Sequence, residues 1–308
     1  MAQTVFIDGA EGTTGLEIVD RLEGREEFEL IRLSDAERKD AECRRSALNY
    51  ADFAILCLPD DAAREAMELL DEDGTTRVID ASSAHRTASG WIYGFPELVG
   101  TQVIEGAKRV ANPGCYPTGF LALVAPLVRA KLLPRDWPFS INAVSGYSGG
   151  GKSLISRFDE EGNIAFRSYG TTLGHKHLEE MKAKAGLKYA PVFAPSVVPA
   201  YRGMLVDIPL PIAAMRSASS PEKLRAELLD FYADAPVVTV HEDAPDELLL
   251  RTDAPASDRL DLYVFGSEDE GSARLIAVFD NLGKGAAGAA VQSLNLMSGS
   301  DPLAGLQL

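Results

Sequence analysis

The segment around Cys115 places a nucleophilic side chain at the predicted start of a helix. Asn112, Pro113 and Gly114 cannot continue a strand and predict a turn, and the apolar residues that follow predict a helix over residues 117–131. Cys115 is therefore expected at or just before a helix N-terminus, where N–H groups and the helix dipole favour a thiolate. The alternative is a buried, inert thiol, because free cysteines are usually buried. The surrounding sequence favours a nucleophile.

Two histidines, His175 and His177, lie just before another predicted helix and could exchange a proton with this chemistry. A thiol nucleophile needs a base, and a product oxyanion needs a proton. We favour His177 as the acid–base group because it directly precedes the helix, and His175 as the residue that braces the turn or meets the substrate; the reverse assignment stays open. No cysteine or acidic pattern completes a tetrahedral metal site, so no metal is predicted.

Glycines follow the first predicted strand, residues 4–8, at a spacing that lets the backbone approach a phosphate. Gly9, Gly12 and Gly15 open a helix that begins with Thr13 and Thr14. At a first strand-to-helix turn, glycines let the backbone approach a pyrophosphate while helix N–H groups point at it. The spacing differs from the usual G-x-G-x-x-G, and a turn without ligand is the alternative. The position favours a dinucleotide cofactor.

The end of the second predicted strand favours NADP over NAD. Ser34 ends this strand, and Arg38 and Lys39 follow closely. A hydroxyl with two cations suits a 2′-phosphate, whereas an acid, here Asp35, is typical of sites that hold the ribose of NAD. A solvated helix start is the alternative interpretation.

Three polar stretches offer cations and an amide to an anionic substrate and a nicotinamide. They are residues 80–86, with Ser82 and Arg86; residues 199–204, with Arg202; and residues 280–288, with Asn281. Each could be ordinary turn chemistry. A glycine- and serine-rich loop over residues 145–153 follows the predicted long helix and carries Ser145, Gly146 and Lys152.

Composition limits the class of protein. A chain of 308 residues suits two domains, and a net charge of −16 argues against nucleic acid or an anionic membrane as partner. An anionic substrate must then be met by a few local cations. Three cysteines without metal spacing imply no disulfide framework, and the longest apolar run, residues 119–128, is too short to span a membrane. A small-molecule partner and the cytoplasm are expected.

The first third of the chain alternates apolar runs with amphipathic stretches. Residues 4–8, 28–33, 53–58 and 77–82 predict buried parallel strands, which gives a doubly wound α/β sheet. The rest predicts a long helix, a second helix over residues 220–235 capped by Ser220, and antiparallel strands. Those strands are expected at residues 191–198, 203–211, 237–242, 260–267 and 272–280.

These motifs together resemble the short form of the N-acetyl-gamma-glutamyl-phosphate reductase family. The segment "NPGCYPTG" is similar to the family's signature around its catalytic cysteine, and "GHKH", "SGYSGGGK", "YGFPEL" and "DNLGKGAAGAAVQSLN" fit other elements. The resemblance implies a fold like that of the glyceraldehyde-phosphate and semialdehyde dehydrogenases. It comprises an NADP-binding Rossmann domain of residues 1–112 and 283–308, and a mixed-sheet α+β catalytic and dimerisation domain of residues 113–282.

The resemblance also implies the chemistry. Cys115 would attack an acyl phosphate, and the resulting thioester would be reduced with NADPH to N-acetylglutamate 5-semialdehyde, a step of arginine biosynthesis. Lys152 stands where the longer form usually has Arg. The candidate cofactor-binding residues are Gly9, Gly12, Thr13, Thr14, Gly15, Ser34, Arg38, Lys39, Leu58, Pro59 and Asn281. The candidate substrate-binding residues are Ser82, Arg86, Asn112, Ser145, Gly146, Lys152 and Arg202.

Two other functions fit the same residues. A sibling enzyme, such as an aspartate-semialdehyde dehydrogenase, would share the cysteine, histidine and cofactor and differ in its acyl pocket. A non-catalytic NADP-binding sensor would use the fold alone. The apolar second sheet favours a homo-oligomer, a dimer or a tetramer.

Overall fold

The computed structural model describes residues 2–215, 219–243, 245–267, 269 and 271–308. The chain forms two compact units. The first comprises Met1–Gly114 and Ala286–Leu306, and the second comprises Cys115–Gly285 and Gln307–Leu308.

The first unit contains a six-stranded parallel sheet in the order β2-β1-β3-β4-β6-β5. Its strands are β1 (Gln3–Asp8), β2 (Phe28–Ile31), β3 (Phe53–Leu56), β4 (Arg77–Asp80), β5 (Ile92–Tyr93) and β6 (Arg109–Ala111). Its helices are α1 (Thr13–Leu22), α2 (Ala41–Tyr50), α3 (Asp60–Glu68), α4 (Pro96–Val99), α5 (Thr101–Glu105) and, from the end of the chain, α10 (Gly288–Ser298). The predicted doubly wound parallel sheet is confirmed.

Both faces of this sheet are covered, as the short apolar strands require. Alternate residues of β3 point to opposite sides: Ile55 joins a core with α1 and α10, whereas Leu56 joins a core with α2 and α3. Strand β1 lies between β2 and β3. The chain passes from β1 to β2 on one side and then crosses to β3 on the other side. The carboxyl end of β1 is therefore the topological switch point, where ligands bind in such sheets.

The second unit contains a seven-stranded mixed sheet in the order β11-β12-β13-β10-β7-β9-β8. Its strands are β7 (Ser140–Gly146), β8 (Arg167–Ser168), β9 (Val192–Val198), β10 (Met204–Leu210), β11 (Val238–Val240), β12 (Leu260–Ser267) and β13 (Ser272–Phe279). Its helices are α6 (Cys115–Arg129), α7 (Gly151–Glu161), α8 (His177–Ala185) and α9 (Pro221–Phe231). A π-helical turn, Gly283–Ala287, precedes α10.

Helix α6 lies against the sheet at very short distance. A Cβ on Gly119 would lie 2.8 Å from the ring of Phe279 and 2.9 Å from the side chain of Val206. The helix is buried along most of its length, so its first residue is held in a fixed place. No helix in the described residues is long and apolar enough to cross a membrane.

Several local predictions are wrong in extent or pairing. The long helix begins at Cys115 and ends at Arg129, and β2 ends at Ile31. Strand β9 pairs with β7 in parallel, because the connection between them carries two helices, and such crossovers join parallel strands. Strand β11 also pairs with β12 in parallel. The helix capped by Ser220, whose hydroxyl accepts the N–H of Lys223, is confirmed.

Substituting Gly9 tests the turn that follows β1. Gly9 has φ +89°, and a Cβ there would lie 2.4 Å from the backbone oxygen of Cys57. Gly9→Ala should cost at least about 1–3 kcal/mol in backbone strain, and so lower Tm by roughly 2–4 °C per kcal/mol in calorimetry. Gly106→Ala is the matched control, because its Cβ would meet nothing closer than 3.7 Å. Equal melting temperatures for the two variants would contradict this account of the turn.

Candidate active site

Cys115 is the first residue of α6, so its thiol lies at the positive end of the helix dipole. It is half-buried and forms no disulfide. The position where Gly285 would carry a Cβ lies 3.1 Å from the Cβ of Cys115. The absence of a side chain at Gly285 therefore leaves space directly beside the thiol.

Tyr116, the next residue, packs against both histidines predicted from sequence. Its ring centre lies 6.2 Å from that of His175 and 6.0 Å from that of His177. The two imidazoles are 4.6 Å apart. Burial raises the pKa of Tyr116, so its hydroxyl stays protonated and donates to the carbonyl of Ser196 at 3.1 Å. Within the second unit, the structure thus brings the two imidazoles to the residue that follows Cys115.

The two histidines have different surroundings. The backbone N–H of His177 donates to Nδ1 of His175 at 3.2 Å, so neutral His175 carries its proton on Nε2. Burial, and then the charge of Lys176, lower the pKa of His175, which favours this neutral form. His177 is buried and is the first residue of α8. His175 braces the start of α8 while leaving Nε2–H as a donor.

The other two cysteines are poorly suited to act as nucleophiles. Burial, followed by the charges of Asp80 and Asp8, raises the pKa of Cys57 to about 12. The pKa of Cys43 is also raised, by loss of hydration and by its contact with Asp40. Since the thiolate is the reactive form, the raised pKa disfavours both of these residues as nucleophiles.

The glycine-rich loop after β7 is joined to the loop that carries Arg202. Asn281 connects them: its Nδ2 donates to Oγ of Ser148, and its Oδ1 accepts the N–H of Gly203, both at 2.9 Å. Arg202 donates to the buried carboxylate of Asp280 at 2.8 Å. These bonds hold both loops in one conformation.

Three further residues predicted to bind substrate also lie in this second unit. Ser145 is buried, and its hydroxyl donates to the carbonyl of Gly146 at 2.9 Å. Gly146 allows a close backbone approach, because a Cβ there would lie 2.7 Å from the oxygen of Tyr201. Lys152 is exposed in the first turn of α7.

In the first unit, the glycine turn after β1 fits a dinucleotide phosphate. A Cβ on Gly15 would lie 2.4 Å from the carbonyl oxygen of Gly9, so only glycine permits this tight entry into α1. No described side chain caps the first turn of α1, where Thr13 and Thr14 lie half-buried. The N-terminal N–H groups of α1 can therefore meet an anion. After β3, Leu58 packs beside Gly9, with a methyl 3.1 Å from that glycine's Cβ position, and Pro59 precedes α3.

The segment after β2 forms a compact turn on the surface. The N–H of Ser34 donates to Glu37 at 2.8 Å, and Arg38 forms an ion pair with Asp35 at 3.0 Å. Lys39 is exposed beside them. Hydroxyl and cations lie within one turn, as a 2′-phosphate would need.

Ser82, Arg86 and Asn112 lie in one network at the ends of β4 and β6. The hydroxyl of Ser82 donates to buried Asp80 at 2.8 Å, and Nε of Arg86 donates to the carbonyl of Asn112 at 2.9 Å. Nδ2 of Asn112 donates to the carbonyl of Ala286 at 2.9 Å. In the described part of the chain, Oδ1 of Asn112 is buried without a hydrogen-bond partner.

Sequence reasoning missed some residues of these networks. His85 binds Asp80 through Nδ1 at 2.6 Å and stacks on Trp91 with ring centres 4.2 Å apart. Tyr169 donates to the hydroxyl of Tyr116 at 3.4 Å. The sequence signals were weak: His85 lies inside the polar stretch already noted, and Tyr116 directly follows Cys115, but nothing marks Tyr169.

Comparison with known proteins defines the class. Residues 4–106 match the family model "Semialdehyde dehydrogenase, NAD binding domain", and residues 115–281 match "Semialdehyde dehydrogenase, dimerisation domain". The structure is similar to aspartate semialdehyde dehydrogenase II from Vibrio cholerae (TM-score 0.69, 18% identity, 96% of this chain and 98% of that one). It is also similar to the Francisella tularensis aspartate semialdehyde dehydrogenase (TM-score 0.73, 14% identity, 96% and 100%). The fold is that of the semialdehyde dehydrogenases.

The names of relatives with similar sequences narrow this class to one family. Proteins named N-acetyl-gamma-glutamyl-phosphate reductase from Brucella ovis and Brucella canis are each 46% identical over 309 aligned positions, which cover 97% of this chain and 100% of each relative. The chain belongs to the N-acetyl-gamma-glutamyl-phosphate reductase family. The resemblance seen in the sequence motifs is confirmed.

The partly buried imidazole of His175 predicts acid sensitivity. Because its folded pKa lies below the ordinary value of 6.5, the unfolded chain binds a proton first as pH falls. This contribution to stability is therefore fully present above the unfolded pKa and is lost as pH falls from there toward the folded pKa. His175→Gln should reduce the decrease in Tm measured between about pH 7.5 and pH 5.5. An unchanged decrease would show that His175 does not carry this dependence.

Proposed function

We propose that this chain catalyses the NADPH-dependent reduction of N-acetyl-gamma-glutamyl phosphate to N-acetylglutamate 5-semialdehyde and phosphate, in arginine biosynthesis. The observation that carries the proposal is the position of Cys115 at the start of a buried helix, with two imidazoles packed on the residue that follows it. The names of relatives at 46% identity support the same reaction.

The first step is nucleophilic attack by Cys115. The thiolate attacks the acyl carbonyl, the C–O bond to phosphate breaks, and an acyl thioester remains on the sulfur. The N-terminus of α6 favours the ionised thiol. The raised pKa of Cys57 and that of Cys43 disfavour either of them as the nucleophile.

The second step needs the cofactor. NADPH, when bound, supplies the hydride that reduces the thioester. Gly9, Gly12 and Gly15, with Thr13 and Thr14, would hold its pyrophosphate at the start of α1. Its 2′-phosphate would be held by Ser34, Arg38 and Lys39. Leu58, Pro59 and Asn281 complete the proposed cofactor contacts.

The third step moves a proton. His177 would supply it to the oxygen of the thiohemiacetal and take it back as the C–S bond breaks and the aldehyde leaves. His175, neutral and with Nε2–H as a donor, would hydrogen-bond the substrate oxygen. Ser82, Arg86, Asn112, Ser145, Gly146, Lys152 and Arg202 are the proposed substrate contacts.

The proposal extends to the assembly of the protein and to its compartment. The match of residues 115–281 to a dimerisation domain supports a homo-oligomer. The absence of disulfides among the three cysteines agrees with the reducing cytoplasm, where a catalytic thiol stays reduced.

Replacing Cys115 tests the reaction and the substrate together. Cys115→Ser should lower kcat by about three orders of magnitude or more, because serine is not ionised there and forms no reducible thioester. Turnover is measured as NADP reduction with inorganic phosphate and N-acetylglutamate 5-semialdehyde, and with aspartate semialdehyde in parallel. Cys43→Ser and Cys57→Ser are the matched controls and should stay active. Retained turnover in Cys115→Ser, or faster turnover of aspartate semialdehyde by the unmodified protein, would contradict the proposal.

Cofactor preference has its own test. Replacing Arg38 and Lys39 together with Ala should raise KM for NADPH by about 10-fold or more, because both cations would contact the 2′-phosphate. KM for NADH should barely change. Equal losses with the two cofactors would mean that these cations only support the fold.

A further inference from the structure

Leu173 has a backbone conformation that leucine rarely adopts. Its φ is +59°, in the left-handed region that is strained for a bulky side chain and that glycine, asparagine and aspartate tolerate. Among the described residues, the one other non-glycine residue with positive φ is Lys131. Lys131 follows the end of α6, and a left-handed residue commonly ends a helix. Leu173 instead follows β8, which ends at Ser168, so its conformation needs another explanation.

The side chain of Leu173 is not buried against the rest of the chain. It is 65% exposed. A glycine at this position would adopt the same conformation without strain. Strained residues persist where the surrounding structure determines them, and they cluster at active sites and ligand clamps. A leucine is therefore favoured here only by a contact that its side chain makes with another molecule.

Leu173 lies in a short turn, residues 170–174, that packs on the second sheet. The N–H of Leu173 donates to the carbonyl of Gly170 at 2.9 Å and closes the turn. The Cβ position of Gly170 lies 3.2 Å from the ring of Pro195, a residue of β9. The start of the turn is therefore held against this strand.

Both residues that flank the turn contact Tyr116, which directly follows Cys115. Tyr169, before the turn, donates to the hydroxyl of Tyr116 at 3.4 Å. His175, after the turn, has its ring centre 6.2 Å from that of Tyr116. Burial and, to a smaller extent, the charge of a Cys115 thiolate raise the pKa of Tyr169, so this hydroxyl lies near the sulfur. The turn is thus anchored at both ends beside the reactive cysteine.

The proposed reaction has an intermediate that water destroys. The thioester on Cys115 is reduced only when hydride reaches its carbonyl carbon. If water attacks that carbon instead, the C–S bond breaks, the sulfur takes a proton, and N-acetylglutamate leaves without reduction. An apolar side chain that covers the reacting centre excludes water and prevents this side reaction.

We propose that Leu173 packs against the methylene groups of the bound acyl chain and excludes water from the thioester on Cys115. The inference rests on the proposed function and adds a substrate contact to it. The N-acetylglutamyl chain has two methylene groups next to the thioester carbon, and they are an apolar surface that a leucine side chain recognises. His175, two residues further on, is the proposed hydrogen-bond donor to the substrate oxygen. The polar and the apolar contact then come from one segment.

Replacing Leu173 by residues that tolerate its backbone conformation separates function from stability. Leu173→Asn keeps the turn and removes the apolar side chain, because asparagine tolerates positive φ. Leu173→Gly also removes the strain. The Tm of both variants should equal or exceed that of the unmodified protein. Leu173→Met keeps an apolar side chain of similar volume and should keep the function.

Phosphate release in the absence of NADPH measures the attack by water. Each protein is mixed with an excess of N-acetyl-gamma-glutamyl phosphate, and the release seen with Cys115→Ser is subtracted as spontaneous hydrolysis. The unmodified protein should release one phosphate per Cys115 and then continue slowly. Leu173→Asn and Leu173→Gly should continue at least about 10-fold faster. With NADPH present, these two variants should release more phosphate than they oxidise NADPH, whereas the unmodified protein and Leu173→Met should do both equally.

Leu249→Asn is the matched control, because Leu249 is another exposed leucine of the second unit, at 54%, and lies outside this turn. It should behave like the unmodified protein. Unchanged phosphate release by Leu173→Asn would overturn the inference. Faster release accompanied by a lower Tm in both variants would also overturn it, because the role would then be structural.

The oligomeric state, measured by sedimentation, tests the other occupant of this surface. Leu173→Asn should sediment like the unmodified protein. Dissociation of the variant would assign the side chain to a contact between copies of the chain and contradict the inference. If the unmodified protein releases no more phosphate than Cys115→Ser, the proposed function fails, and the inference fails with it.

Discussion

The close packing of α6 against its sheet is the constraint on which the site in the second unit depends. Gly119 brings the helix to within contact of Phe279 and Val206, and any side chain there would force the two apart. The helix is buried from its second residue, Tyr116, to Leu127, so packing determines where it begins. Cys115 is that residue. Its thiol is thereby fixed at the end of a helix dipole, beside a residue, Gly285, that has no side chain.

The second constraint is electrostatic. The chain carries a net charge of −16, yet the proposed substrate and cofactor are anions. Two arginines are already paired with buried carboxylates at the ends of strands: Arg44 with Asp8, and Arg202 with Asp280. Such pairs shape loops and contribute little charge toward a ligand. Recognition of anions then depends on helix N-termini and on cations without a local partner.

The sequence predicted the parts of the molecule that depend on local chemistry. Buried strands, the glycine turn after β1, the capped α9 and the helix after Cys115 all follow from short patterns of apolar, small and turn-forming residues. Strand direction in the second sheet did not follow, because pairing of β9 with β7 is decided by a long crossover and not by either strand alone.

The sequence patterns also did not predict the contacts between segments that lie far apart in the chain. Tyr169 reaches Tyr116 across 53 positions of the chain. Arg251 and Arg259 lie in an irregular segment with no sequence motif. Only the folded structure shows that they line one cavity together with Arg202. Both cases depend on tertiary packing, which short-range spacing does not encode.

The central claim is that Cys115 carries the acyl group during the reaction. The most direct measurement is peptide mass spectrometry after mixing the protein with N-acetyl-gamma-glutamyl phosphate in the absence of NADPH, followed by acid quenching. The account predicts an N-acetylglutamyl thioester on Cys115, phosphate release in equal amount, and loss of the adduct when NADPH is added. An adduct on Cys43 or Cys57, or phosphate release without any adduct in a protein that turns over, would contradict it.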